Sequence, residues 1–297
     1  MNELKNIRSI QQIEDGIEKL LSIKSSEDDA YKKMHEIIFN DLHPIPFPVV
    51  DLVPGYEYSH VYRVRRNVGD EVFKNISQIS SISDSESIKK YGRCNTPKQS
   101  TFYCSENRAT SNMEVINKEI LDNSDFIILT NGRWKINKRL KMAMLIHGEE
   151  VRKANPFIKV RHDEFQAFLN ERLPKHKYVI NKLLTFFSDY FSRPFDDSMN
   201  DEYKLSAAFY NYVLNFVDGL IYPSVKIIYE GLNYAFPHER FIEDYVELDR
   251  SIITVLKKDD DDKGFTDFYM TEDRGIMKEA DYIRWHQGSL PHNKLAI

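Results

Sequence analysis

Ile7, Ile10, Ile13, Ile17, Leu20 and Leu21 recur at intervals of mostly three or four residues, with charged and amide side chains between them. That period lays an apolar stripe along an α-helix over residues 3–24. A second helix is predicted over 27–39. The prolines of His43-Pro-Ile-Pro-Phe-Pro48 stop it, because each removes a backbone donor and disfavours helical geometry in the residue before it. This stretch reads as a linker with a boundary near Leu52.

Beyond the linker the period changes. Ser59-His-Val-Tyr-Arg-Val-Arg65 alternates and is rich in Val and Tyr, the pattern of a strand. Residues 75–90 are polar and Ser-rich, and read as loop with at most a short helix. Thr101-Phe-Tyr-Cys104 is a second strand, and Ala109, Met113, Ile116 and Ile120 share one face of a helix. Phe126–Leu129 and Trp134–Ile136 flank Thr130-Asn-Gly132, which predicts a hairpin turning at Asn-Gly. Helices are expected over 138–148, 162–173, 177–192 and 202–216, and strands over 219–224 and 246–256. Asp259–Asp262 reads as a solvated loop, since adjacent like charges repel when packed. Strands and helices mix without regular βαβ alternation, so the expected class is α+β, a mixed β core with surrounding helices.

Composition narrows the function classes. The chain has 297 residues, with 41 Lys and Arg against 46 Asp and Glu, a formal charge of −5. Mild acidity disfavours nucleic acid as a partner, since phosphate-backbone binding needs a basic face. No apolar run is long enough to span a membrane, and the charged N-terminal stretch lacks the apolar core of a secretory signal, so a cytoplasmic location is expected. Cys94 and Cys104 are too few for a disulfide framework or a zinc site. There is no Gly-rich phosphate loop, no HExxH and no CxxC, so no metal and no resident cofactor are expected. His162-Asp-Glu164 opens a predicted helix, where carboxylates favour the helix dipole without any catalytic role. The aromatic content is 12%, with 17 Tyr and 18 Phe but only 2 Trp. Such residues fill cores, and they also line pockets for planar ligands.

Three segments carry candidate chemistry. One is Tyr62-Arg63-Val64-Arg65 in the first strand. The next is Tyr91-Gly-Arg93-Cys-Asn95, followed by Phe102-Tyr103 and by Glu114, eleven residues past that tyrosine on a helix. The third is Asp218-Gly-Leu-Ile-Tyr222-Pro-Ser224, followed by Gly231-Leu-Asn-Tyr-Ala235. Arg65 and Arg66 fit either surface charge or accessory phosphate contact.

In order and content these segments resemble the RES-domain family, named for signature Arg, Glu and Ser residues. The resemblance makes Arg63 the signature Arg, Glu114 the Glu and Ser224 the Ser, with Arg93, Asn95, Tyr103 and Tyr222 at the accompanying substrate-binding positions. It spans about residues 55–240. Residues 1–52 then form a helical N-terminal extension and Pro-rich linker, and 53–245 a catalytic domain with a helical insertion over about 137–200. Residues 246–297 add a strand and tail packed on the same domain. The resemblance implies an ADP-ribosyltransferase-like core that consumes NAD⁺ as a substrate, by hydrolysis or phosphorolysis. It also implies a toxin or defence role, with a small antitoxin protein as partner in many members. Transfer of ADP-ribose to a protein, and a non-catalytic nucleotide-binding or interaction module, are the alternatives. The Ile stripe of the first helix fits packing on its own core or on a second subunit, which leaves a homo-oligomer open.

The residue types suit that chemistry independently. Breaking the nicotinamide–ribose bond builds oxocarbenium character on the sugar, which a carboxylate such as Glu114 stabilises. Planar guanidinium groups match pyrophosphate oxygens bidentately, which suits Arg63 and Arg93. A tyrosine ring at 103 or 222 can stack on the cationic nicotinamide. Ser224 supplies a donor and an acceptor at a strand end. Nicotinamide departs neutral, so no strong general acid is called for.

Overall fold

In the computed structural model, residues 6–55, 59–68, 72–116, 126–194, 200–258, 265–272, 275–276 and 283–285 are described. The chain runs through α1 (Ile10–Ser22), α2 (Ala30–Ile37), β1 (Val49–Leu52), β2 (His60–Arg66), α3 (Ile76–Ile79), β3 (Thr101–Ser105) and α4 (Arg108–Glu114). It continues with β4 (Phe126–Ile136), β5 (Leu140–Met144), α5 (Glu149–Ala154), α6 (Pro156–Arg172), α7 (Lys177–Phe191) and α8 (Lys204–Val213). Then come β6 (Gly219–Pro223), β7 (Leu232–Pro237), α9 (His238–Ile242), β8 (Val246–Lys258), β9 (Phe265–Glu272), β10 (Gly275–Ile276) and β11 (Ile283–Arg284). The fold is α+β, as the mixed periodicities predict.

Contacts divide the chain into two compact units. The first comprises Met1–Asp51, Asp84–Thr101 and Leu140–Pro237. α1 starts where Ser9 caps it: the Ser9 hydroxyl accepts from the Gln12 amide, and the Gln12 side chain accepts from the Ser9 amide. Its stripe buries Ile13 and Leu20 inside the chain. α2 runs on into a wider turn over Ile38–Leu42 and packs on α8. α8 is apolar on almost every side, burying Leu205, Phe209, Tyr212 and Val213, and Phe209 stacks on Phe187 of α7 at 4.0 Å between centroids. Strands β1, β5, β6 and β7 lie side by side in that order, with β5 parallel and β7 antiparallel to β6. Gly219 opens β6 because nothing larger fits: a Cβ there would meet the Ala235 carbonyl at 2.4 Å.

The second unit comprises Leu52–Ser83, Phe102–Arg139 and His238–Ile297. Its sheet has the order β3-β2-β4-β8-β9, antiparallel throughout. Val64, Ile116, Ile127, Leu129 and Leu256 form a buried cluster on one face.

Two expectations are corrected. The hairpin predicted at Asn131-Gly132 is instead one eleven-residue strand, β4, paired with β2 on one side and β8 on the other. Gly132 serves close approach rather than a turn, since a Cβ would lie 2.6 Å from the Trp134 indole nitrogen and 3.0 Å from Leu248. The helix predicted over 138–148 is the strand β5: Leu, Lys, Met and Ala favour helices, but pairing with the buried β6 outweighs that preference. Elsewhere the boundaries shift. α6 begins at Pro156, six residues earlier than its periodicity suggests, where Asn155 caps it and accepts from the Ile158 amide. The expected helix at 202–216 is a short 3₁₀ turn over Asn200–Tyr203 followed by α8. The expected continuation of α4 to Ile120 and the Asp259–Asp262 loop lie outside the described residues.

Candidate functional site

Two groups of signature residues emerge, one in each unit. In the second unit, strand alternation sends Arg63 and Arg65 to one face of β2 and Val64 to the other. Arg63 is 9% exposed. Its Nε donates to the Ser80 carbonyl at 3.1 Å and its Nη1 to the Tyr103 carbonyl at 2.6 Å. The guanidinium also lies 5.3 Å over the Phe102 ring, which meets Trp134 edge-on. Arg65 Nη2 donates to the same Ser80 carbonyl at 3.2 Å, and its buried Nε has no hydrogen-bond partner among the described residues. Neither arginine forms an ion pair among the described residues. Burial, and secondarily Arg65, holds the Arg63 guanidinium down to about 9, so it is still a cation at neutral pH. Arg65 is lowered by burial as well. Arg66 is exposed.

Glu114 ends α4 and is exposed. The residues just past it, Val115 and Ile116, pack with Val64, so the end of α4 covers the face of β2 opposite to Arg63. α4 is short, capped by Asn107 accepting from the Thr110 amide, and the residues it buries are polar: Thr110, Ser111 and Asn112. Asn131 pairs across from Val64 and therefore lies on the same face as Val64. The Oδ1 atoms of Asn112 and Asn131 and the Oγ of Ser251 are buried without a hydrogen-bond partner among the described residues. Periodicity alone concealed these residues; the polar Thr-Ser-Asn run on a helix that needs a buried face is the signal that marks them.

In the first unit, Gly92 and Asn95 exchange backbone hydrogen bonds of 3.0 and 3.3 Å, closing a tight turn that presents Arg93. The Asn95 amide is turned inward to the Lys90 and Thr96 carbonyls. Arg93 donates to the Phe191 and Arg193 carbonyls at the end of α7 and lies 5.4 Å from the Tyr203 ring centroid. A cation suits that end of a helix, where unsatisfied carbonyls concentrate negative charge. Tyr222 is buried in β6 with its ring 5.7 Å from Phe191. Ser224 is fully buried at the mouth of the loop joining β6 to β7, its amide bonded to the Gly231 carbonyl and its carbonyl to the Tyr229 amide.

Arg63 and Tyr103 are thus joined directly in the second unit, whereas Glu114 ends a helix that covers the opposite face of β2, so the signature Arg and Glu are not brought together. Arg93 and Asn95 share one turn in the first, where Tyr222 and Ser224 lie at the end of one strand. Cys94 and Cys104 are buried, and burial pushes both thiols well above their usual range, so neither supplies a thiolate nucleophile. Among the described residues, no three His, Cys, Asp or Glu side chains are grouped to hold a metal, and no helix is long and apolar enough to cross a membrane. No protein-family model matches the chain, and no curated protein matches it in sequence.

Proposed function

We propose that this chain binds NAD⁺ and cleaves its nicotinamide–ribose bond, passing the ADP-ribose to water or phosphate. The observation that carries the reading is the pair Arg63 and Arg65. Two largely buried guanidinium groups share one carbonyl and have no carboxylate partner among the described residues. Buried cations left without counter-charge are costly, and a diphosphate is the chemistry that relieves them. Among the described residues, two of the five N–H donors of Arg63 are used, which leaves three for phosphate oxygens. The order Tyr-Arg, Gly-Arg-x-Asn, Tyr, Glu and Ile-Tyr-Pro-Ser along the sequence supports the same substrate.

Each residue has an assigned part in this proposal. Arg63, with Arg65, takes the phosphates, and the signature order alone assigns Arg93 to them. Glu114, assigned by the signature order and not by proximity to Arg63, stabilises the ribosyl cation as the C1′–N bond breaks and its electron pair leaves on nicotinamide. The acceptor oxygen then bonds C1′ and releases its proton. Tyr103, Tyr222, Asn95 and Ser224 are assigned to the nicotinamide and ribose. A cytoplasmic toxin or defence role, with a small protein antitoxin, belongs to this proposal.

The test incubates wild-type protein and Glu114→Gln with NAD⁺, with and without phosphate, and resolves products by mass. Wild type is expected to yield nicotinamide with ADP-ribose or, in phosphate, its 1″-phosphate. Because Glu114 is exposed, the variant should fold normally while turnover falls by about two orders of magnitude or more. Intact NAD⁺ in both buffers overturns cleavage, and tight NAD⁺ binding without turnover assigns a binding module instead. A mass-shifted protein identifies a protein acceptor.

A further inference from the structure

We infer that the N-terminal helix pair is a positioning element for the Arg93 turn, acting through Lys204 and Asn211 of α8; its catalytic consequence rests on the NAD⁺ reading. Lys204 is 5% exposed, an unusual place for an ammonium group. Its three donors meet three acceptors: the Ser25 carbonyl at 2.7 Å, the Glu27 carbonyl at 3.0 Å and Asp201 Oδ1 at 2.9 Å. Two of those acceptors belong to the connection between α1 and α2. The same ammonium lies 5.6 Å from the ring centroid of Tyr91, the residue that opens the Arg93 turn.

A second tie runs seven residues further along α8, on the same side of the helix. Asn211 Nδ2 donates to Tyr31 Oη of α2 at 2.9 Å, and its Oδ1 accepts from Gln99 Nε2 at 2.7 Å. Gln99 Oε1 in turn accepts from the Thr96 amide at 2.9 Å, and the Asn95 side chain donates to the Thr96 carbonyl at 2.9 Å. An unbroken hydrogen-bonded path therefore joins Tyr31 to the signature Asn95. The Tyr31 and Tyr91 rings, 5.7 Å apart, close the gap between the two ties. The turn cannot move as a body without breaking the Asn211–Gln99 bond and the contact of the Lys204 ammonium with the Tyr91 ring, and a part-buried amide is expensive to leave unpaired. Lys204 and Asn211 also interrupt a mostly apolar helix: Lys204 bonds the α1–α2 connection and Asp201, and Asn211 bonds Tyr31 and Gln99.

Plain packing would produce the same picture, so the test has to separate positioning from stability. Tyr31→Phe removes one oxygen and keeps the ring, while Lys204→Met removes the other tie. The readouts are NAD⁺ steady-state kinetics, the melting temperature and amide hydrogen exchange over residues 90–99. Tyr31→Phe is expected to speed exchange in that segment and to raise KM for NAD⁺ about two- to tenfold, with kcat little changed and the melting temperature near wild type. Wild-type exchange over 90–99 in Tyr31→Phe overturns the inference, as does faster exchange with KM unmoved. Should Lys204→Met fail to fold, Tyr31→Phe alone decides. A wild-type protein inert towards NAD⁺ removes the functional proposal only, and the tie itself is then decided by exchange.

Discussion

Arg65 Nη2 lies 3.2 Å from a carbonyl that already receives Arg63, so the ligand-free protein holds two like charges against one acceptor. Arg65 is the second cause, after burial, of the lowered Arg63 pKa of about 9. Removing Arg65 relieves that repulsion and also removes a charge-assisted contact to phosphate. Arg65→Ala is therefore expected to leave the melting temperature unchanged or higher, and to raise KM for NAD⁺ about tenfold or more. A fall in both stability and affinity would instead make Arg65 an ordinary structural residue. From the sequence, Arg63 stood out because a Tyr-Arg pair opens the signature order. Arg65 is left between surface charge and phosphate contact, because alternation gives a side chain's face and not what covers it. Burial of that face comes from Ser80 and its neighbours, distant in sequence.

At the level of elements, His147 shows how strand, loop and helices hold together. It follows β5, is 3% exposed, and its Nε2 meets Asn181 of α7 at 3.1 Å. The ring meets His162 of α6 edge-on at 5.4 Å between centroids. Burial above all pushes the His147 pKa down to about 4; Arg152 of α5 and His162 lower it further, while the Asn181 bond opposes them. Asp163 and Lys177 act on His162 in turn. The ordinary value is 6.5, so between pH 6.5 and about 4 the unfolded chain takes up a proton that the folded one refuses. Stability from this group is complete above 6.5 and is lost as pH falls through that window, to the extent of about 3 kcal/mol. His147→Gln, neutral at all pH, should flatten the decline of melting temperature between pH 7 and 4.5; an unchanged slope would assign the decline to other groups. Element types were legible where one period held, as in α1, β2 and α7. They were not where a residue served two purposes: Gly132 imitates a turn but makes room for Trp134, and Leu140–Met144 has helical composition beside a strand that fixes its geometry.

For the molecule as a whole, the question is whether the first fifty residues can be separated from the rest. The Ile stripe shows which side of α1 is buried, while a stripe alone does not name its partner. The structure names it: α1 packs on α7 and α2 on α8, within the first unit. Ile13, Leu20, Met34, Ile38, Leu42 and Ile45 are all less than 5% exposed. The Ile45 amide and His43 both bond the Tyr212 hydroxyl of α8. Each such side chain contributes about 1.5–3 kcal/mol when buried, so six amount to about 10 kcal/mol, comparable with the whole stability of a typical domain. Deleting residues 1–50 would also bare Phe209 and Tyr212 to water and strand the donors of Lys204. The truncated chain is therefore expected to lose its cooperative melting transition and to aggregate on size-exclusion chromatography. A peptide of residues 1–51 supplied in trans is expected to restore part of both. A truncated protein that stays monodisperse, melts cooperatively and turns over NAD⁺ at the wild-type KM would show the opposite: a removable extension, and an Arg93 turn that holds its shape without it.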